Sequence, residues 1–403
     1  MSKLTRVQPD LDFIKELQTI GGQDLKKCYQ CATCSVVCPL SPMDNAFPRK
    51  EMIWAQWGLK DKLVGDIDMW LCHKCGQCTE QCPRGAKPGE LMAALRNLAY
   101  RDLVEPKFLG KWMSSIKHLP KLIAIPAILY LIIWMITGSI HGTPFPLEHG
   151  QIEFGLIFPG DFTIDPIFGL VALFVIFSFY KGIQNLITSF NSKPKTFVVG
   201  YHPPQNILWS IVDVIKQEVL THKKWKDCGQ EESDNTKFKG HLLLFYGFVA
   251  LFIVTAVVGL THWGGKIFPI FGMEYPMPFW NPVKLLANAG AIALIIGLVF
   301  LTRRRLEDDG KDESSYYDWY LLGVIWSVAL TGILSELLRW SGVAGLAYPM
   351  YYLHLISVFM LIAYLPWSKL GHLVYRIAAL AYARRIGRIS TETETQDNKI
   401  FVI

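Results

Sequence analysis

Eight of the nine cysteines in this 403-residue chain fall between Cys28 and Cys82, in two runs of one spacing, and nothing else in the sequence limits its fold as strongly. Cys28, Cys31, Cys34 and Cys38 form the first run and Cys72, Cys75, Cys78 and Cys82 the second, each C-x2-C-x2-C-x3-C and each followed by proline. Thiols this dense are either bridged or metal-bound. Residues 1–25 are charged and amphipathic, without the apolar segment or cleavage site of a signal peptide, so the region is expected in the cytoplasm. Four disulfides would not persist there. Three closely spaced thiolates can wrap three corners of an iron–sulfur cubane, whereas structural zinc sites favour two separated pairs. The runs therefore predict two 4Fe-4S clusters.

The spacing is that of bacterial two-cluster ferredoxins, in which the fourth cysteine, followed by proline, leaves its loop and ligates the other cluster. That rule assigns Cys28, Cys31, Cys34 and Cys82 to one cluster, and Cys72, Cys75, Cys78 and Cys38 to the other. His73 lies inside a ligand loop whose cysteine set is already complete, and is expected to be a neighbour. Between the runs, residues 47–60 predict a short helix started by Pro48 and stopped near Gly58, with Ile53, Trp54, Trp57 and Leu59 as its packing residues. Residues 88–102 predict a second helix, with Leu91, Met92, Leu95 and Leu98 on its buried side. Residues 1–118 should form the cluster domain.

Hydrophobic residues make up 51% of the chain and charged ones only 18%, an unusual balance for a soluble protein. Six apolar stretches, 122–140, 166–183, 242–261, 283–301, 319–338 and 350–367, are counted as spans, most of them long enough to cross roughly 30 Å of hydrocarbon, with five spans as the alternative. The second is the weakest, interrupted by Lys181, Gln184 and Asn185. Basic residues set the orientation. Segment 184–240 holds eight lysines, 302–318 four basic residues and the stretch from Ser368 six, whereas the opposite loops 141–165, 263–282 and 341–349 hold none, one and none. Both termini are expected inside, with residues 119–380 as the membrane domain, 184–240 as its cytoplasmic loop and 381–403 as a polar tail. A net charge of +6 without an arginine-rich arm excludes nucleic acid as a partner.

Ionisable residues in the spans decide between a passive anchor and a bundle that does chemistry. His241 and His262 are 21 residues apart on one stretch, about 60° apart in azimuth and about 32 Å in height. His354 and His372 are 18 residues apart, five turns and about 27 Å, and share a face if their helix continues past Pro366. With His241 and His372 inside and His262 and His354 outside, the pattern predicts two stacked b-type haems clamped between two helices. His118, His141, His149, His202 and His222 are expected in solvent, and Cys228 as a loop thiol. Glu336 and Arg339 are quinone-site candidates, or else a local i, i+3 ion pair, with Lys284 and Glu274 similarly placed. An ion translocator driven by the clusters lacks a buried acidic relay.

Taken together, these residues resemble a heterodisulfide-reductase C-like ferredoxin domain fused to an E-like cytochrome b domain, the arrangement of C subunits of the quinone-interacting membrane-bound oxidoreductase (Qmo) complexes of sulfate-reducing microbes. The cysteine motifs carry the wider two-cluster class; the domain order and the segment Lys369-Leu370-Gly371-His372 point more narrowly. The resemblance implies a mainly α fold, a helical two-cluster domain followed by a six-helix transmembrane cytochrome b bundle in the inner membrane. It also implies haem b, menaquinone, two soluble flavin and iron–sulfur partner subunits, and electron exchange with adenylylsulfate reductase. Such a subunit would be part of a quinol oxidoreductase, with little activity alone. Catalytic heterodisulfide-reductase subunits carry repeated Cys-Cys-Gly motifs, and here there is only Cys228-Gly229, so disulfide reduction is expected elsewhere. No G-x-G-x-x-G fingerprint is present, which leaves flavin to a partner.

Overall fold

A computed structural model describes residues 8–41, 46–192, 203–221, 235–268, 277–307 and 315–389. Almost everything described is helix, apart from one hairpin of β1 (Leu147–Glu148) and β2 (Gln151–Ile152).

The cysteine-rich part is built from short helices around one long one. α1 (Leu11–Thr19) is capped by Asp10, whose carboxylate accepts from the Phe13 amide at 2.8 Å, and it buries Phe13 and Leu17. The one-turn helix α2 (Thr33–Val36) follows a left-handed residue, Ala32. α3 (Arg49–Gln56) begins after Pro48 as the sequence predicts. Its buried face is different, however: Glu51, Met52 and Ala55 are buried, while Trp57 is 58% exposed and Trp54 is half-buried beneath Lys50 and Lys62. Residues i, i+1 and i+4 share a helical face, and a buried glutamate on that face hides it from an apolar pattern. α4 (Lys60–Val64), α5 (Asp68–Leu71) and α6 (Gln77–Glu80) follow, and α7 (Pro88–Leu103) forms the spine, burying Leu91, Met92, Leu95 and Leu98 as expected. α8 (Lys107–Met113) leads to the membrane part.

Six helices are long and apolar enough to cross a membrane: α9 (Leu119–Ile140), α10 (Asp165–Asn191), then, after α11 (Ile207–Val214), α12 (Asn235–Ile267), α13 (Pro282–Glu307), α14 (Tyr316–Trp340) and α15 (Ala344–Ala363). The polar interruption in the second is absorbed without a break, because Asn185 donates to the Leu103 carbonyl at 2.7 Å and Gln184 to the Tyr180 hydroxyl at 2.6 Å. Only 6% of the apolar window of α12 is buried against 44% of that of α15, so α15 is central and α12 marginal. α12 and α13 meet through glycine: a Cβ on Gly297 would lie 2.7 Å from the Leu244 nitrogen, and one on Gly247 2.9 Å from the Gly290 carbonyl. Small residues permit this approach where lipid gives no hydrophobic drive to association.

The condition for His354 and His372 to share a face, one helix continuing past Pro366, is not met. α15 stops at Ala363, 3-10 turns occupy Leu365–Trp367 and Lys369–Gly371, and a separate helix, α16 (His372–Arg385), begins at His372. Pro366 removes a backbone donor and restricts the residue before it. The shared face of those two histidines therefore lapses. The expected boundary at residue 380 also falls inside α16, whose residues 381–384 are buried. Tyr375 packs on Trp70 and Tyr100, with centroids 6.0 and 5.7 Å apart, and Arg388 forks onto Asp68 at 2.8 and 2.9 Å. The start of the predicted tail is thus docked against the cysteine-rich part. Residues 390–403, most of the 184–240 loop's lysines, Glu274, His202, His222 and Cys228 lie outside the described residues.

Candidate functional site

Two cavities hold the cysteines. Cys28, Cys31, Cys34 and Cys82 line the first, with Arg49 and Pro88; Cys38, Cys72, Cys75 and Cys78 line the second, with His73 and Pro48. Each set takes three sulfurs from one run and one from the other. The local cause is repeated in both loops: Gln30 and Lys74, each two residues after the first cysteine, are left-handed at φ 60° and 52°, and their amides point to the Cys28 and Cys72 sulfurs at 3.4 Å. The Ala86 amide reaches Cys82 in the same way at 3.3 Å. Donors aimed at sulfur stabilise thiolate and metal-bound sulfide.

Burial works against ionised sulfur. It pushes the Cys34 thiol up to about 11 and that of Cys38 to about 12, and raises Cys28 and Cys78 as well. Cys31, at the exposed edge, is instead lowered by hydrogen bonding from Thr33. Dry thiols gathered in fours become thiolates only with a cation among them, and an all-sulfur donor set with inward amides fits an iron–sulfur cluster.

The histidines are distributed differently from expectation. Of the four candidate ligands, His262 lies near the C-terminal end of α12, and there its Nε2 is 2.6 Å from Asp161 Oδ1, a carboxylate that also pairs with Lys266. Trp263 donates to Asp165 at 3.0 Å beside it. His354 is mid-span, about 15 Å from the start of α15 by helical rise. Its Nδ1 is 3.1 Å from the Thr331 hydroxyl, and its ring lies against Gly332, where a Cβ would come within 3.0 Å. Interhelical ties fix its depth: His354 is level with Thr331 on α14, Trp326 donates to Thr302 on α13 at 3.0 Å, and Gly297 abuts Leu244 on α12. His354 is therefore nearer the level of His241 than of His262, which corrects the outer pairing of His262 with His354.

His372 begins α16, with Nδ1 2.6 Å from the Lys369 carbonyl, and desolvation with help from Arg376 and Arg96 pushes its imidazole down to about 4. It is neutral at ordinary pH. In both His354 and His372 the Nδ1 side is the engaged one, as in imidazoles that give Nε2 to a metal and are oriented from behind. These two rings fit axial haem ligation. His262, with Nε2 held by a carboxylate, does not.

Glu336 pairs with Lys284 at 2.9 Å, and Arg339 donates to the Ile152 carbonyl at 3.0 Å, so the i, i+3 ion pair is not formed. Arg339 is drawn away by the hairpin. Sequence reasoning missed Arg376, which reaches His73 Nδ1 at 2.5 Å, and the group of Asp318 with Lys369 and Arg305. Of these, Asp318 had a legible signal: Ser315 and Asp318 form a capping box ahead of an apolar run.

Residues 24–86 match the family described as 4Fe-4S dicluster domain, and residues 199–392 the family described as Citrate utilization protein B. A stretch of 148 residues is 30% identical to the E subunit of dihydromethanophenazine:CoB–CoM heterodisulfide reductase of Methanosarcina thermophila, covering 33% of this chain and 53% of that protein. Another of 88 residues is 41% identical to a protein of Archaeoglobus profundus that is itself like the C subunit of heterodisulfide reductase, covering 22% and 45%. Citrate utilization protein B of Escherichia coli is 28% identical over 163 residues, covering 38% and 40%. The chain spans about half the length of the curated relatives it matches. No solved structure matches. The chain thus joins a part similar to C subunits, matching a 4Fe-4S dicluster domain, to a multi-pass membrane part similar to E subunits.

Proposed function

We propose that the chain is the membrane electron-transfer subunit of a quinone-linked respiratory complex of the Qmo type, its C subunit, carrying electrons between menaquinol and soluble flavin and iron–sulfur partner subunits, toward adenylylsulfate reductase. The observation that carries this reading is the joint between the halves. Arg376 lies one turn after His372 on α16 and bonds His73 at 2.5 Å in the second cysteine loop, so the lining of that cavity is fastened to the helix bearing a candidate haem ligand. The basic inner loops support a cytoplasmic membrane with both termini inside.

In this reading Cys28, Cys31, Cys34 and Cys82 hold one cluster and Cys38, Cys72, Cys75 and Cys78 the other. His354, with His241 at a similar level, holds a haem b, and His372 marks a second, inner position. Haem and clusters, when bound, supply the one-electron steps that divide a two-electron quinol oxidation. Thr331 and the Lys369 carbonyl orient the imidazoles, and the packed Trp70, Tyr100 and Tyr375 exclude water between bundle and cavity. Glu336 and Arg339 remain the quinone-site candidates, now with Lys284 as the partner of Glu336.

The test is anaerobic purification of the full chain in detergent, quantitation of iron, acid-labile sulfide and haem, and addition of a menaquinol analogue. Reduced b-type absorption followed by cluster reduction is expected. Zinc in place of iron, or an absence of haem bands, overturns the reading.

A further inference from the structure

Between the second and third spans lies an amphipathic helix that no step above uses. α11 (Ile207–Val214) is started by Asn206, whose side chain accepts from the Leu208 amide at 2.9 Å, and it runs on into a π turn, Ile215–Leu220. One face is packed. Ser210 and Val214, four residues apart, are buried, and polar groups beside them bind α16: Arg384 donates to Gln217 at 2.8 Å and lies 3.8 Å from Asp213, and Arg376 lies 3.5 Å from Glu218. The other face is exposed. Leu208, Val212 and Ile215 recur at i, i+4 and i+7, which puts them on one side of a helix. Leu208 is 70% exposed and Trp209, next to it, 69%, with Lys216 exposed at the edge.

A helix with aliphatic side chains and a tryptophan on one side, polar groups on the other and a lysine at the boundary has the make-up of one that lies in a membrane interface, where an indole sits at headgroup level and a lysine snorkels. Position agrees with composition. The Tyr246 hydroxyl donates to the Leu220 carbonyl at 2.7 Å, and Tyr246 lies about 12 Å, by helical rise, beyond Phe238, where the third candidate span begins. Leu220 thus meets the flank of α12 and not its tip. That flank faces lipid, since only 6% of the apolar window of α12 is buried and both Tyr246 and Leu220 are exposed. The exposed side of 207–220 therefore adjoins the lipid-facing surface of the spans, and its packed side adjoins α16.

We propose that α11 is an in-plane membrane anchor, with Leu208, Trp209, Val212 and Ile215 seated among phospholipids at the interface on the side that the cysteine-rich part occupies. Its opposite face holds α16, which packs Tyr375 on Trp70 and carries Arg376 to His73, so lipid on one side and α16 on the other seat the cysteine-rich part against the bilayer. Part of the loop expected in the cytoplasm is thus a membrane element. The inference goes beyond the electron-transfer reading and holds whichever cofactors the chain carries.

The experiment replaces Trp209 by photoreactive p-benzoylphenylalanine in the full chain, illuminates native membranes and reads the adducts by mass spectrometry. Phe252, exposed on the third span, and Leu11, exposed on α1, carry the same group as lipid and aqueous references. A phospholipid-mass adduct at position 209, in a yield near that at Phe252 and above that at Leu11, is expected. Adding Leu208→Glu and Val212→Glu should bring that yield down to the Leu11 background, because carboxylates are excluded from the apolar boundary. An unchanged yield in that variant overturns the proposal, as does a protein-mass adduct in place of lipid, whether to another subunit or within this chain. Lipid at Phe252 with only the Leu11 background at Trp209 overturns the anchor alone; lipid at neither overturns the span assignment with it. Should the glutamate pair fail to accumulate, the adduct at position 209 in the otherwise unchanged chain decides.

Discussion

At the scale of single residues, the cysteines were the most legible part of the candidate site. Their spacing is a local property, and one rule of loop geometry was enough to anticipate which four would face each cavity. Cys82→Ser is accordingly expected to remove the same paramagnetic signal as Cys31→Ser, although the two lie in different runs, while Cys38→Ser removes the other signal. The shared loss is read by electron paramagnetic resonance of each variant. Burial of the thiols has a consequence for pH. Cys34 and Cys38 are raised from 9.0 to about 11 and about 12, so the iron-free fold carries their full contribution below pH 9 and loses it as pH climbs toward those values. Thermal melts of iron-free protein should fall over that alkaline interval, and those of cluster-loaded protein should not. Glu51 was illegible because a charged residue reads as solvent-facing until its neighbours are known.

At the scale of helices, the sequence placed all six spans, with ends up to eight residues off, and two of the eight helices of the cysteine-rich part, because apolar length and periodicity are written along the chain. It did not place the histidines in depth. Depth depends on which residues of neighbouring helices lie level, through contacts such as Trp326 with Thr302, and on the break after Ala363, neither of which a count of turns contains. The packing of His354 against Gly332 gives a direct test. Gly332→Ala puts a methyl 3.0 Å from the imidazole, so the ring must tilt. Overpacking of this kind typically costs about 1–3 kcal/mol. The expected result is a shifted haem b absorption or potential with both cluster signals unchanged, whereas His262→Ala should leave the haem spectrum alone.

At the scale of the molecule, composition announced the two halves and left their joint unseen. The joint is made by α16, which returns from the membrane to place Tyr375 against Trp70 and Arg388 on Asp68. The polar look of residues 381–389 hid it, since Arg384 and Arg388 are buried. Removing one partner of such a buried pair typically costs about 3–5 kcal/mol. Arg388→Ala is therefore expected to lower the melting temperature of the cysteine-rich part in detergent and to speed protease cleavage between α5 and α7, with the transmembrane helices still resistant. Because α16 follows the six described spans in the sequence, this fastening is made after them during synthesis. Both cavities are lined by residues 28–89 alone, so iron can be delivered to a complete cradle before α16 arrives to fasten its flank to the membrane part.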